Sequence, residues 1–108
     1  MAGAAKGNRW AWLEAVHDAA DQPSEVSVAI ELARRSNAVL SRPVDASEAE
    51  LAAGARLSRR AVQYATRALR VGGWIVGART EGDGRRARWT FARVPVFTAK
   101  SAQHNAPI

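Results

Sequence analysis

Between Ser47 and Ile75 the chain reads SEAELAAGARLSRRAVQYATRALRVGGWI, and its start and stop signals leave the backbone few choices. Ser47 with Glu50 three residues on is a capping box, so a helix starts there, with Leu51 and Ala52 as its inward residues. Gly54-Ala55-Arg56-Leu57 has the composition of a turn, and Ser58 caps a second helix. Gly72-Gly73 ends that helix, because glycine past a helix C-terminus adopts the left-handed conformation at little cost. Trp74–Thr80 then reads as a strand. Two helices joined by a tight turn and followed at once by a strand can pack in only a few ways.

The flanking sequence fills in one domain. A chain of 108 residues has room for a single modest core, and without cysteine that core has no disulfide to help it. Arg9–Ala20 has helical spacing, with Trp10, Leu13, His17 and Ala20 on one face, Val16 on its flank and Trp12 pointing the other way. Asp21-Gln22-Pro23 breaks this helix. Ser24 caps the next, with Val26, Ala29, Ile30 and Ala33 inward, Glu31, Arg34 and Arg35 outward, and an end near Asn37. Pro43-Val44-Asp45 suits a short strand. Glu81-Gly82-Asp83-Gly84 is a loop signal, and Ala87–Ala92 returns as a strand with Trp89 and Phe91 on one face. The expected fold class is mainly α with a small β-hairpin (α+β): three to four helices and two or three strands. A mobile tail over 1–8, a domain over 9–92 and a loosely held tail over 93–108 complete the expected organisation.

Charge is strongly polarised. Residues 1–50 carry five Lys/Arg against eight Asp/Glu, a net of −3, whereas residues 51–108 carry eleven against two, a net of +9. One positive side is the footprint of a polyanionic partner. No run of about 18 apolar residues exists to span a membrane, and the opening MAGAAKGN lacks the apolar stretch of a secretory signal. A cytoplasmic protein is expected.

The order helix, short strand, helix, helix, hairpin resembles the winged helix-turn-helix fold. The run Leu51-Ala52, Leu57-Ser58, Arg59-Arg60, Val62, Leu69, Gly73-Trp74-Ile75 is similar to the pattern of bacterial and phage regulators of that fold, and resembles the helix-turn-helix modules of some plasmid and phage replication proteins. The resemblance covers roughly Trp10 to Phe91. One departure concerns the turn: the family commonly has glycine before the small apolar residue, and this chain has Arg56 there, with its glycine at Gly54. A left-handed backbone strains arginine, so a differently shaped turn is expected.

On a helical wheel, Val62, Ala65 and Leu69 of the basic helix face inward, opposite Arg60, Tyr64 and Arg67, with Gln63 and Arg70 on one shoulder. A major groove about 12 Å wide admits such a helix; arginine pairs bidentately with guanine, glutamine with adenine. Arg60, Gln63 and Arg67 are therefore expected on bases, and Tyr64 on a sugar or a thymine methyl. Ser58, Arg59, Arg56 and Arg70 are expected on phosphates, helped by the free N–H groups of the helix start. An ordinary solvated helix balances its cations with glutamates, yet no acidic residue occurs between Arg56 and Arg79. Arg79, Arg85, Arg86 and Arg88 surround the hairpin tip, and the resemblance implies a wing that touches phosphate or the minor groove.

Other chemistry finds no residues to carry it. His17 and His104 are the only histidines, Asp18 and Asp21 lack partners for acid–base work, and Gly82-Asp83-Gly84 lacks the context of a phosphate loop. No enzyme activity, metal, cofactor or small-molecule ligand is expected. With Trp10 inward, Trp12 becomes a candidate interface residue, and a homodimer or protein partner through residues 9–37 is expected. The expected function is sequence-specific binding of double-stranded DNA by a transcriptional regulator that acts by occupancy, nucleoid-associated if bacterial. A replication or plasmid-maintenance module would share the same DNA face. An interaction adaptor of the same fold would tolerate loss of Arg60 and Arg67.

Overall fold

A computed structural model describes residues 2–79 and 86–94. In chain order these form helices α1 (Ala2–Ala19) and α2 (Pro23–Arg35), strand β1 (Val44–Ser47), helices α3 (Glu48–Ala55) and α4 (Arg59–Val71), and strands β2 (Ile75–Arg79) and β3 (Arg86–Phe91). The architecture is mixed α+β, four helices beside one three-stranded antiparallel sheet of order β1-β3-β2. The expected hairpin is β2–β3, and β1 joins it on the far side of β3, with Val44 opposite Trp89 and Asp45 opposite Arg88. Glu81-Gly82-Asp83-Gly84, Arg85 and residues 95–108 lie outside the described residues.

Local signals set most boundaries. The Ser47 Oγ accepts from the Glu50 N–H at 3.1 Å while the Ser47 N–H donates to Glu50 Oε1 at 3.0 Å, a complete capping box. The Ser58 Oγ accepts from the Ala61 N–H at 3.1 Å and starts α4. At its end Gly73 takes φ 78, and the Trp74 N–H closes on the Leu69 carbonyl at 2.9 Å. For α2 the cap is Gln22 instead of Ser24, because Pro23 has a φ suited to the first helical position. The Gln22 N–H donates to Glu25 Oε2 at 3.0 Å. Helix α1 begins at Ala2, well before the Arg9 start that the spacing gives.

The turn between α3 and α4 keeps the left-handed closure that Arg56 was expected to prevent. Arg56 has φ 57 and ψ 47. The Leu57 N–H bonds the Ala52 carbonyl at 2.9 Å, as the Trp74 N–H does for α4, and Leu57 packs against the core. Those contacts hold an arginine where glycine is the easier residue. Arg56→Gly is accordingly predicted to stabilise the protein by about 1 kcal/mol, since the left-handed penalty for an L-residue is about 1–2 kcal/mol and flexibility in the unfolded chain offsets part of it. A denaturant midpoint that rises checks this; a fall would show that the arginine side chain outweighs its backbone strain. Gly54 serves space, not the turn: a Cβ there would collide with the carboxylate of Glu31.

Packing corrects the faces of the first two helices. Trp12 is fully buried and Trp10 is 66% exposed, the reverse of the expected assignment. The cause lies at the other end of the chain. Trp12 Nε1–H donates to the Ala92 carbonyl at 3.0 Å, and its ring meets Phe91 edge-on with centroids 5.1 Å apart. Leu13 and Val16 are buried beside it, while His17 is exposed next to Asp18. Helix α2 touches α1, α3 and α4, so a broad arc goes inward: Val28, Ala29, Leu32 and Ala33 are buried, with Ile30 outward and Val26 only partly covered. Glu31 is buried as well, neutralised by Arg34 Nη1 at 2.8 Å and Arg35 Nε at 2.7 Å.

Leu51, Val62, Leu69, Val44, Ala46, Ile75 and Trp89 join these residues in one core between helices and sheet. The order of the chain outlasts β3. Arg93 stacks on Trp74 at 4.1 Å and donates to the Gly72 carbonyl at 3.0 Å, and Val94 packs against the core. The expected tail boundary at residue 93 therefore falls inside packed structure.

Candidate nucleic-acid interface

Helix α4 has one apolar face and one cationic face. Val62, Ala65 and Leu69 are buried as the wheel predicts, and so is Thr66, whose hydroxyl donates to the Gln63 carbonyl at 3.2 Å. A hydroxyl satisfied by its own helix can enter a core at small cost; periodicity alone gives no sign of it. Arg59, Arg60, Gln63, Tyr64, Arg67 and Arg70 are all exposed. Arg60 and Arg67 are seven residues apart, about 10 Å along the axis at 1.5 Å per residue. Tyr64 projects between them. Arg56 and Ser58 are exposed at the approach to the helix. Its first N–H groups beyond the Ser58 cap have no intrahelical acceptor, as at any helix start.

Two acids that the local sequence does not reveal hold residues of the candidate interface, one at α4 and one in the sheet. Glu48, the first residue of α3, accepts a hydrogen bond at Oε1 from Gln63 Nε2 at 3.0 Å and lies 3.7 Å from Arg59 Nη2. Asp45 on β1 faces Arg88 on β3 and accepts from its Nε at 3.0 Å and its Nη2 at 3.4 Å. The hydrogen bonds and the charge of Asp45 raise the already high basicity of Arg88, so it stays protonated. Among the described residues, Arg56, Arg60, Arg67 and Arg70 form no ion pair with an acidic side chain. The unopposed cations thus run along α4, and Arg59, Gln63 and Arg88 are held by carboxylates.

The hairpin residues are placed less completely. Arg79 pairs with Ala87 across β2–β3, and Arg86 pairs with Ser47 across β1–β3. Arg85 lies outside the described residues. Trp12, the candidate interface residue, is excluded from any surface because it is fully buried. Trp10 and Ile30 are instead the exposed large apolar residues of α1 and α2, at 66% and 44%. Together with Leu13 and Val26 they line a shallow groove rimmed by Glu14 and Asp18.

Among the described residues no group of three or more His, Cys, Asp or Glu side chains is placed to hold a metal ion, and no helix is long and apolar enough to cross a membrane. No protein-family model matches the chain, and neither a characterised protein nor a solved structure shows significant similarity to it.

Proposed function

We propose that this chain is a winged helix-turn-helix protein that binds double-stranded DNA sequence-specifically and regulates transcription by occupying its site. The observation that carries the reading is the exposed, acid-free stripe Arg60–Tyr64–Arg67 on a helix whose opposite face is buried. In this reading α3 and α4 are the helix-turn-helix, α4 lies in the major groove, and β2–β3 is the wing. Arg60 and Arg67 pair with guanines, Gln63 with adenine, and Tyr64 meets a thymine methyl or a sugar. Ser58, Arg59, Arg56 and Arg70 hold phosphates, and Arg79, Arg85, Arg86 and Arg88 serve the wing. The four helices and antiparallel sheet, in their observed order, are compatible with this fold. The function requires no catalytic residue and no cofactor. Selection of duplexes from a random pool, with binding measured at two salt concentrations, tests it.

The same reading includes assembly through residues 9–37, since a symmetric dimer presents two recognition helices to two half-sites. The contact is assigned to Trp10 and Ile30, which are exposed on adjacent helices. Trp10→Ala is predicted to lower the mass seen by sedimentation to that of a monomer without changing the helical content. A mass that is unchanged by the substitution would remove this face from the assembly.

A further inference from the structure

We infer that Glu48 determines base specificity by fixing which end of the Gln63 amide faces the DNA; this rests on the reading of α4 as the DNA-contacting helix. The two residues belong to different helices, fifteen positions apart, and meet at 3.0 Å between Gln63 Nε2 and Glu48 Oε1. An ionised carboxylate only accepts hydrogen bonds, whereas a glutamine amide has one end that donates and one that accepts. Beside Glu48 the nitrogen of Gln63 must turn toward the carboxylate, and its oxygen must turn away. The outward edge then offers the carbonyl oxygen together with the second N–H. Those are the groups that adenine requires in the major groove, where its N6 amino group donates and its N7 accepts. An untethered glutamine can present either end and can be satisfied by several bases.

Glu48 also brings a negative charge to a surface meant for phosphates. It lies 3.7 Å from Arg59 Nη2, so that guanidinium is shared before any DNA arrives. Such a carboxylate opposes binding to every sequence alike, while the ordered Gln63 favours one base. Affinity and specificity therefore move in opposite directions when Glu48 is changed. A residue that merely supports the fold would move them together or not at all.

The test uses the full chain with a duplex enriched from a random pool and a set of duplexes substituted at each base pair in turn. Glu48→Gln removes the charge and lets both amides flip. Discrimination at the adenine position is expected to fall roughly tenfold, within the range of a single bidentate contact. Binding to random duplex is expected to tighten several-fold at low salt, and the salt slope to steepen by about one as Arg59 is freed. Because Glu48 lies in the first turn of α3, thermal melting checks that each variant is folded. Gln63→Ala provides the second arm: in that background Glu48→Gln should no longer alter the base preference. Unchanged discrimination in the Glu48→Gln protein, or an equal loss in the Gln63→Ala background, overturns the inference and leaves the DNA-binding reading standing. A parent protein with no sequence preference overturns both.

Discussion

Replacing Arg60 and Arg67 together by alanine is expected to abolish sequence-selective duplex binding while leaving the protein folded. Both side chains are exposed and neither pairs with an acidic group among the described residues, so nothing in the fold depends on them. Alanine is the best helix former, and surface substitutions of this kind stay within about 0.5 kcal/mol. A bidentate arginine–guanine pair contributes about 1–3 kcal/mol of discrimination. Two such pairs amount to about 2–6 kcal/mol, a loss of roughly thirtyfold to more than ten-thousandfold in preference for the selected site. The measurement is a pair of binding isotherms, on the enriched duplex and on a scrambled one, beside a thermal melt. A double variant that melts normally and still discriminates would mean that α4 is not the reading helix. The interaction-adaptor reading, which tolerates these losses, would then lead.

The largest effect on stability is expected at Trp12. Its ring is fully buried, meets Phe91 edge-on and donates its indole N–H to the Ala92 carbonyl. Truncating a buried tryptophan to alanine costs about 3–5 kcal/mol, and the carbonyl left without its donor adds to that. Domains of this size have about 5–15 kcal/mol of stability in total, so Trp12→Ala should be largely unfolded at moderate urea concentrations. Trp10, at 66% exposure, should lose little on the same substitution. Urea titrations of the two variants give the comparison. Equal, small losses would mean that α1 is not docked onto the end of β3.

The difference between the two tryptophans shows what was legible in the sequence. Signals that act within three or four residues were plain: the Ser47–Glu50 box, the Ser58 cap, the Gly72-Gly73 stop and the inward row Val62, Ala65, Leu69. The face of α1 was not, because both of its faces carry a tryptophan. The choice between them is made by Phe91 and Ala92, some eighty residues away. For α2, one apolar stripe was expected where three neighbouring helices cover a wide arc, which draws Glu31 inward with Arg34 and Arg35 as its counter-ions. The turn misled through a sound rule. Left-handed arginine is strained, but the closing hydrogen bonds and the packing of Leu57 enforce it.

For the candidate site, each α4 residue that the wheel places outward is exposed. The wheel missed the two acids. The stretch from Arg56 to Arg79 is indeed free of acidic residues, yet Glu48 reaches Arg59 and Gln63 from the start of α3, and Asp45 reaches Arg88 across the sheet. The Asp45–Arg88 pair depends on strand register, which is set by residues more than forty positions apart. Asp45 reads in the sequence only as part of the short strand, and Glu48 lies inside the Ser47–Glu50 capping box, so neither is marked by its neighbours as a partner for these residues.

The measurement that bears most directly on DNA recognition by α4 is duplex selection followed by titration at two salt concentrations. Binding tens-fold tighter to the enriched sequence than to the starting pool, with affinity falling steeply as salt rises, is the predicted result. No binding to any duplex at low salt, or salt-sensitive binding that is equal for all sequences, would contradict it.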